Sequence, residues 1–193
     1  MTASVELALL KCLRCGTFVQ AEEDEVAWVC PQCGQGLLLA DSGLVPLSVQ
    51  WAALPARPAA IPIRWLPFWT FVGTVRFGRR ETYGGSRQPD ALWNAPRRFF
   101  IPAFPYPLDD MQQPGAELTR RGPPLNAGPP AGPLSRCTLF PEDAKGAAEF
   151  VVLTVEAAQK DKLRQLDFAL ELGEPELWVL PSTEQGGLRL ALG

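Results

Sequence analysis

Four cysteines near the N-terminal end of the chain carry the clearest chemistry in the sequence. They form two Cys-x-x-Cys turns, Cys12 to Cys15 and Cys30 to Cys33, with fourteen residues between the turns. Such a turn directs two thiolates to one point, and two turns complete a tetrahedron around an ion that accepts thiolates. The spacing therefore predicts a structural Zn2+ site with Cys12, Cys15, Cys30 and Cys33 as ligands. A redox-active dithiol and a mononuclear iron site are the competing interpretations.

The chain contains no histidine. This removes imidazole ligands and also the Ser-His and Cys-His pairs of nucleophilic catalysis. Four thiolates fill the coordination shell of zinc and leave no position for an activated water. Cys137 lies outside the two turns, and without an activating imidazole we interpret it as a small buried hydrophobic residue. No glycine-rich phosphate loop or serine-nucleophile elbow is present. We therefore expect a non-enzymatic protein without catalytic residues.

Charge is distributed unevenly along a chain whose net charge is -3. Residues 1–60 hold three basic and six acidic side chains. Residues 61–140 hold ten basic and five acidic side chains, and residues 141–193 hold five basic and ten acidic ones. The blocks therefore carry -3, +5 and -5, and every basic residue of the middle block is arginine. This pattern favours either charge complementarity between packed segments or a cationic contact surface. Of the two, we favour complementary packing.

The middle block also holds the candidate partner-binding residues. Tryptophan and arginine dominate the binding energy of many protein interfaces, and both types are concentrated here. The candidates are Trp65, Trp69, Arg76, Arg79, Arg80, Arg97 and Arg98. Tryptophans at alternating strand positions are also typical core residues, and for the tryptophans we favour the core.

Nucleic acid and a membrane surface are two further possible partners of the middle block. Arginines interleaved with Trp93, Phe99 and Phe100 could hold single-stranded nucleic acid by phosphate contact and base stacking. The acidic loop 22–25 between the cysteine turns would repel phosphate, which argues against nucleic-acid contact by that part of the chain. The tryptophan cluster could also serve as a peripheral foothold on a membrane.

The flanking sequence predicts the elements that position these residues. Apolar runs at 17–20, 26–29 and 37–39 predict short strands around the cysteines, in an N-terminal module of residues 1–44. Residues 45–193 predict a second domain, and its expected elements are a strand that alternates from Trp69 to Phe77, a β-like run at 97–104, a helix from Pro141 to about Gln159, and strands at 166–172, 177–180 and 188–192.

A proline- and glycine-rich segment interrupts this second domain. Residues 112–135 contain six prolines and four glycines, and they predict an extended strap over the surface. A single main helix followed by strands implies that the helix covers one face of a sheet. The predicted fold class is α+β, with a four-cysteine ribbon followed by a mostly antiparallel, β-rich domain and one main helix near the C-terminal third.

The segments CLRCG (12–16) and CPQCG (30–34) resemble the zinc-ribbon superfamily with its rubredoxin-like knuckles, over about thirty residues of this chain. The strand Leu66-Pro-Phe-Trp69 also looks like uncharacterised bacterial zinc-ribbon proteins, in which a Pro-aromatic-Trp strand follows the ribbon. The resemblance implies bound Zn2+ and a ribbon module, and it implies no reaction.

These observations lead to one functional hypothesis and one alternative. The chain is expected to be a zinc-binding adaptor or structural subunit that mediates protein–protein interaction in a larger assembly. The alternative is a nucleic-acid-binding protein that uses the arginine- and aromatic-rich middle. Reduced thiols, the absence of a secretory signal and the lack of a transmembrane segment predict a cytoplasmic location.

Overall fold

The four cysteines belong to a small three-stranded antiparallel sheet, the ribbon. The computed structural model describes residues 10–54, 62–86, 88–106, 112–183 and 189–190. Strands β1 (Ala27–Val29), β2 (Gly36–Ala40) and β3 (Gly43–Leu47) pair in the order β1-β2-β3. The ribbon sheet therefore continues to Leu47, past the predicted module boundary at residue 44.

Two of the predicted ribbon strands coincide with β1 and β2, and the third does not form a strand. Residues 17–20 contribute only an isolated antiparallel bridge between Lys11 and Phe18. Most of the predicted strand at 188–192 lies outside the described residues.

The second domain is an eight-stranded sheet of mixed direction. Its strands are β4 (Val49–Ala52), β5 (Ile63–Thr82), β6 (Gly85–Ser86), β7 (Arg97–Pro102), β8 (Ala127–Gly128), β9 (Leu163–Leu172), β10 (Glu176–Thr183) and β11 (Arg189–Leu190). The pairings are antiparallel except between β10 and β4, which run parallel. The fold is thus α+β with mostly antiparallel strands, which confirms the predicted fold class.

Strand β5 is the central strand of this sheet, because it pairs with four other strands along its twenty residues. Its first half lies between β10 and β7, and its second half pairs with β9. Alternate side chains of the first half enter separate cores: Trp69 and Phe71 on one face, Leu66 and Phe68 on the other. Both faces are therefore covered here, which explains why Thr70, placed on the polar face by its sequence pattern, is also fully buried.

Helix α2 (Pro141–Ala157) covers one face of the sheet. Pro141 occupies the first turn, where a missing N–H costs nothing, and Glu142 and Asp143 lie near the positive end of the helix dipole. Ala148, Val151 and other buried residues of α2 pack into the same core as Trp69 and Phe71. The helix is held to the sheet by burial of this apolar face.

Helix α1 (Gln112–Arg121) corrects the prediction of an extended strap at 112–135 and of a single main helix. Pro114 lies in the first turn of α1, where its lack of an N–H is tolerated. Gly115 is required by close packing, since a Cβ there would come 2.5 Å from the carbonyl oxygen of Phe100 in β7. The proline and glycine that suggested a loop thus start the helix and dock it. Residues 122–135 remain irregular apart from β8 and single bridges.

No helix among the described residues is long and apolar enough to cross a membrane.

Candidate metal centre

The two cysteine turns have the same backbone hydrogen bonds. The N–H of Gly16 donates to the carbonyl of Cys12, and the N–H of Gly34 donates to that of Cys30, both at 2.9 Å. Cys12 and Cys30 in turn each donate an N–H, at 2.8 Å, to the residue five positions later. Both glycines have φ near +70° (73° and 72°), a left-handed conformation that L side chains rarely adopt. The knuckle geometry therefore depends on glycine directly after the second cysteine.

The knuckles bring all four thiols together. The Sγ atoms of Cys12, Cys15, Cys30 and Cys33 lie within 4.8 Å of one another, with Cys12 3.5 Å from Cys33 and Cys15 3.6 Å from Cys30. A tetrahedral site with Zn–S bonds of about 2.3 Å requires sulfur–sulfur distances of about 3.8 Å. The cluster has the ligand number and spacing of a four-thiolate site, and it can hold a metal ion.

Exposure and hydrogen bonding differ among the four thiols. Cys12 and Cys30 are buried at 3% and 1% exposure, whereas Cys15 faces solvent. Hydrogen bonds from the side chain and backbone of Thr17 lower the pKa of Cys15 to about 6, and the Cys15 backbone N–H lowers the pKa of Cys12. A hydrogen bond from the backbone of Gln35 favours the Cys33 thiolate, but burial and the neighbouring thiols raise the pKa of Cys33 to about 12. Without a cation, the cluster therefore cannot ionise completely near neutral pH.

The cysteines are a large part of the ribbon core. Only Cys12, Trp28, Cys30 and Leu37 are fully buried in this cluster, with partly buried aliphatic residues around them. Glu25 of the acidic loop contacts this core, since its carboxylate accepts hydrogen bonds from the Trp28 indole at 3.0 Å and from the Glu22 N–H at 2.9 Å. So small a core gives limited hydrophobic stabilisation, and a metal ion bound by four thiolates would supply much of the folding energy.

The ribbon is joined to the large sheet through Cys137. The N–H of Val26 donates to the Cys137 carbonyl at 2.8 Å, and Ala27 forms an antiparallel bridge with Cys137. Asp24 in the acidic loop pairs with Arg136 at 3.1 Å. The Cys137 thiol is fully buried and outside the metal cluster, and burial raises its pKa to about 12. Cys137 is thus a packing residue at the junction.

A cleft of about 800 Å3 lies between the ribbon and the proline-rich segment 130–135. The ribbon side of the cleft includes Phe18, whose side chain is 56% exposed, Trp28 of β1 and Cys30 of the second knuckle. The opposite wall includes Pro130, Pro133 and Trp51. The cleft is therefore bounded partly by aromatic and proline side chains and by backbone that the cysteine turns hold in place.

The tryptophans named as candidate partner-binding residues lie inside the fold. Trp65 and Trp69 are 3% and 1% exposed. Trp69 donates its indole N–H to the Leu139 carbonyl at 2.7 Å, and Trp65 packs edge-on against Trp51 with ring centroids 5.3 Å apart. Neither side chain is available to a partner or a membrane in this conformation, because the sheet faces that carry them are covered by other parts of the chain.

The five candidate arginines already have partners within the chain. Arg76 pairs with Glu171 at 3.3 Å, Arg98 with Glu176 at 2.6 Å, and Arg79 with Glu81. Arg97 donates from Nε to the Leu92 carbonyl at 3.1 Å. Arg80 is 5% exposed and binds Glu156 and Asp161. Three of these arginines thus pair with carboxylates of the acidic block 141–193, which is the complementary packing that the charge pattern favoured.

Glu156 is a buried site that the sequence analysis missed. Its carboxylate is fully buried and accepts four hydrogen bonds, from Arg80 Nε at 2.6 Å, Trp93 Nε1 at 2.8 Å, Gln159 Nε2 at 2.8 Å and the Asp90 N–H at 3.0 Å. Both carboxylate oxygens of Asp161 accept hydrogen bonds from the two terminal nitrogens of Arg80. Asp161 is the main reason that the pKa of Arg80 is raised, and Glu156 adds to the effect. The sequence could have revealed this site, because Glu156 follows Val155 on the apolar face of a predicted helix. A carboxylate buried on such a face requires a cation as its partner.

No protein-family model matches this chain, and no curated protein or solved structure is significantly similar to it. The likeness to zinc ribbons therefore rests on the four-cysteine cluster and its knuckle geometry.

Proposed function

We propose that this chain is a non-enzymatic zinc protein that acts as an adaptor or structural subunit and binds a protein partner beside its metal-held ribbon. The observation that carries the proposal is the cleft between the ribbon and segment 130–135, whose ribbon side includes Cys30 and Pro31 of the second cysteine knuckle. Metal binding would then fix both the fold of the ribbon and the shape of the contact surface.

Zinc is the ion that the ligand set favours. Four thiolates from two Cys-x-x-Cys turns are the common donor set of structural zinc, and the sulfur spacing suits its bond lengths. Four protein ligands complete the zinc coordination shell, so this site would bind no substrate or activated water. The role of the ion is therefore structural in this proposal.

The cleft has the chemistry of a protein-binding surface. Phe18 is a large exposed aromatic residue at its edge, and prolines from segment 130–135 form a rigid opposite wall. Glu25 also lines the cleft, and the acidic residues 22–24 belong to the same loop. We therefore propose an extended partner segment that combines apolar side chains with basic ones. Nucleic acid is less well supported, because the loop is acidic and the candidate arginines are already paired.

Metal analysis combined with site-specific crosslinking tests this function. We expect one zinc per chain, and loss of the metal in the Cys30→Ser variant. A photoreactive phenylalanine analogue at position 18 should crosslink a defined protein in an extract of the native cells. The same analogue at Tyr83, which is 79% exposed outside the cleft, is the matched control.

The outcomes separate the parts of the proposal. An adduct at position 18 that is absent at position 83 and is lost with the metal supports it. Zinc without any position-specific adduct would leave a metal protein but contradict the partner cleft. A chain purified without zinc, or with iron in its place, would contradict the zinc assignment.

A further inference from the structure

Helix α2 carries an apolar seam on the side that faces away from the sheet. Gly146, Phe150, Leu153 and Ala157 are all exposed, and their spacing of four, three and four residues is that of a coiled-coil contact. At 100° per residue they fall within an arc of about 60° on the helix surface. Phe150 is 52% and Leu153 36% exposed, which makes them two of the large hydrophobic side chains that the described residues leave in solvent.

None of the four seam residues carries a polar side chain, and the exposed Glu149 lies at the border of the seam. The Thr154 hydroxyl, at the border of the seam, donates to the carbonyl of Phe150 in its own helix at 2.7 Å. At Gly146 there is open space around the Cα atom, with no atom within 4 Å of a Cβ placed there. A second helix can therefore approach closely at Gly146 and cover the aromatic ring one turn further on.

The order of residue types along the seam is self-complementary in an antiparallel arrangement. If a two-fold axis passes between Phe150 and Leu153, each Phe150 faces Leu153 of the other copy, and each Gly146 faces Ala157. Large residues then meet at the centre and small residues meet at the ends. This self-matching is the property of an isologous interface, in which one surface patch contacts itself.

The charges at the two ends of α2 match in the same register. Asp143 in the first turn and Lys160 in the turn after the helix are both exposed, and the two-fold axis that pairs Phe150 with Leu153 also pairs Asp143 with Lys160. A parallel arrangement would instead place like charges together at each end. The Asp143–Lys160 pairing therefore favours the antiparallel orientation.

We propose that two copies of this chain associate through an antiparallel pairing of their α2 helices along residues 146–157. This surface is on a different element from the ribbon cleft, so self-association and partner binding are independent. The seam is only about 16 Å long at 1.5 Å per residue, which is short for a permanent dimer. The dimer is thus a reversible one, with a dissociation constant in roughly the micromolar range.

Sedimentation velocity over a concentration series from about 0.1 μM to about 100 μM tests this proposal, since it spans the expected dissociation constant. The metal-loaded full chain should show a monomer–dimer equilibrium. Phe150→Asp should weaken dimerisation by at least about tenfold, because it places a charge at the centre of the seam. Tyr83→Asp, which replaces an exposed aromatic residue outside the seam, should leave the equilibrium unchanged.

A charge exchange tests the register. Asp143→Lys and Lys160→Asp should each weaken the dimer several-fold, and the double variant should restore it. Asp143→Lys also disturbs the start of the helix, but that effect would not be repaired by a change at position 160. Thermal melts of the two single variants and the double variant show whether each is folded.

Three results would overturn the proposal. They are a chain that stays monomeric over the whole series, a dimer that Phe150→Asp does not weaken, and a monomer whose binding to anionic lipid vesicles is lost on Phe150→Asp. The last result would assign the seam to a membrane surface instead.

Discussion

The ribbon and the large sheet are stabilised in different ways. The ribbon buries four residues in its core, and two of them are cysteines of the metal cluster. The large sheet buries Trp69, Phe71, Phe99 and many others in two cores on opposite faces of β5. The comparison sets a module whose small core leaves room for stabilisation by a metal ion beside a sheet that depends on hydrophobic burial.

The four-thiol cluster of the ribbon and the buried Glu156 carboxylate of the large sheet also differ in what neutralises their charge. The metal cluster collects four groups that become anionic on binding, and only a cation can make that arrangement stable. The Glu156 centre is complete without any added ion, because Arg80, Trp93, Gln159 and a backbone N–H satisfy the carboxylate. Both centres hold separate segments together, but only the first would be sensitive to a chelator, through the metal ion that we propose.

Metal removal should give the largest difference between the two regions. We expect Cys30→Ser, or a strong chelator, to abolish hydrogen-exchange protection in β1–β3 while the amides of α2 stay protected. Structural zinc contributes roughly 10–16 kcal/mol of apparent binding free energy, far more than the small ribbon core can replace. Hydrogen exchange followed by mass spectrometry measures this, with Cys137→Ala as a control that retains the metal. Loss of protection in both regions at once would show that the sheet also depends on the ion.

Truncation of the buried carboxylate should give the next largest effect. Glu156→Ala leaves Arg80 and the Trp93 indole short of an acceptor inside the fold, and breaking a buried pair costs about 3–5 kcal/mol. Glu171→Ala removes the partner of the exposed Arg76, whose side chain is 74% exposed, and should cost less than about 1 kcal/mol. Urea unfolding of the metal-loaded variants measures both free energies. Equal losses would contradict a special role for Glu156.

A smaller effect is expected at the junction between the two regions, from the pH dependence of Cys137. Its folded pKa of about 12 lies above the value of 9.0 for a free thiol. The protonated Cys137 thiol therefore makes its full contribution to the free energy of unfolding below about pH 9. This contribution is lost as the pH rises towards 12, because the thiol of the unfolded chain ionises first. Between about pH 8 and about pH 10 the free energy of unfolding should fall by about 1.4 kcal/mol more in the natural chain than in Cys137→Ala. Urea unfolding at the two pH values measures this fall. If it is the same in the natural chain and in Cys137→Ala, the Cys137 thiol is not shielded from solvent.

Local patterns in the sequence predicted a good part of this architecture. The cysteine spacing predicted the four-thiol cluster, since two Cys-x-x-Cys turns with following glycines have few other ways to fold. Pro141 with the acids after it marks the start of α2, and the alternation from Trp69 to Val75 describes the inner face of β5. In each case the information lies within a few consecutive residues.

Features that depend on distant residues were not visible in the sequence. Pro114 and Gly115 read as loop residues, and only the approach of α1 to β7 explains the glycine. Arg80 and Glu156 are 76 positions apart, so no local pattern joins them. The parallel pairing of β4 with β10 is likewise set by the assembled sheet. The sequence favoured a core position for Trp65 and Trp69, which the structure confirms, but it could not show that segments far away in the chain cover the second face of β5.

The position of β10 in the sheet has a consequence for biosynthesis. β10 lies between β4 and β5, yet the ribosome makes it after both of them and after β7 and α2. One edge of β4 and one edge of β5 therefore stay open during most of translation, and the β5 edge belongs to a strand rich in tryptophan and phenylalanine. Such an edge is prone to pair with other chains until its own partner arrives. The ribbon needs only residues up to Leu47 to complete its sheet, so it can take up metal on the ribosome before the larger domain is able to fold.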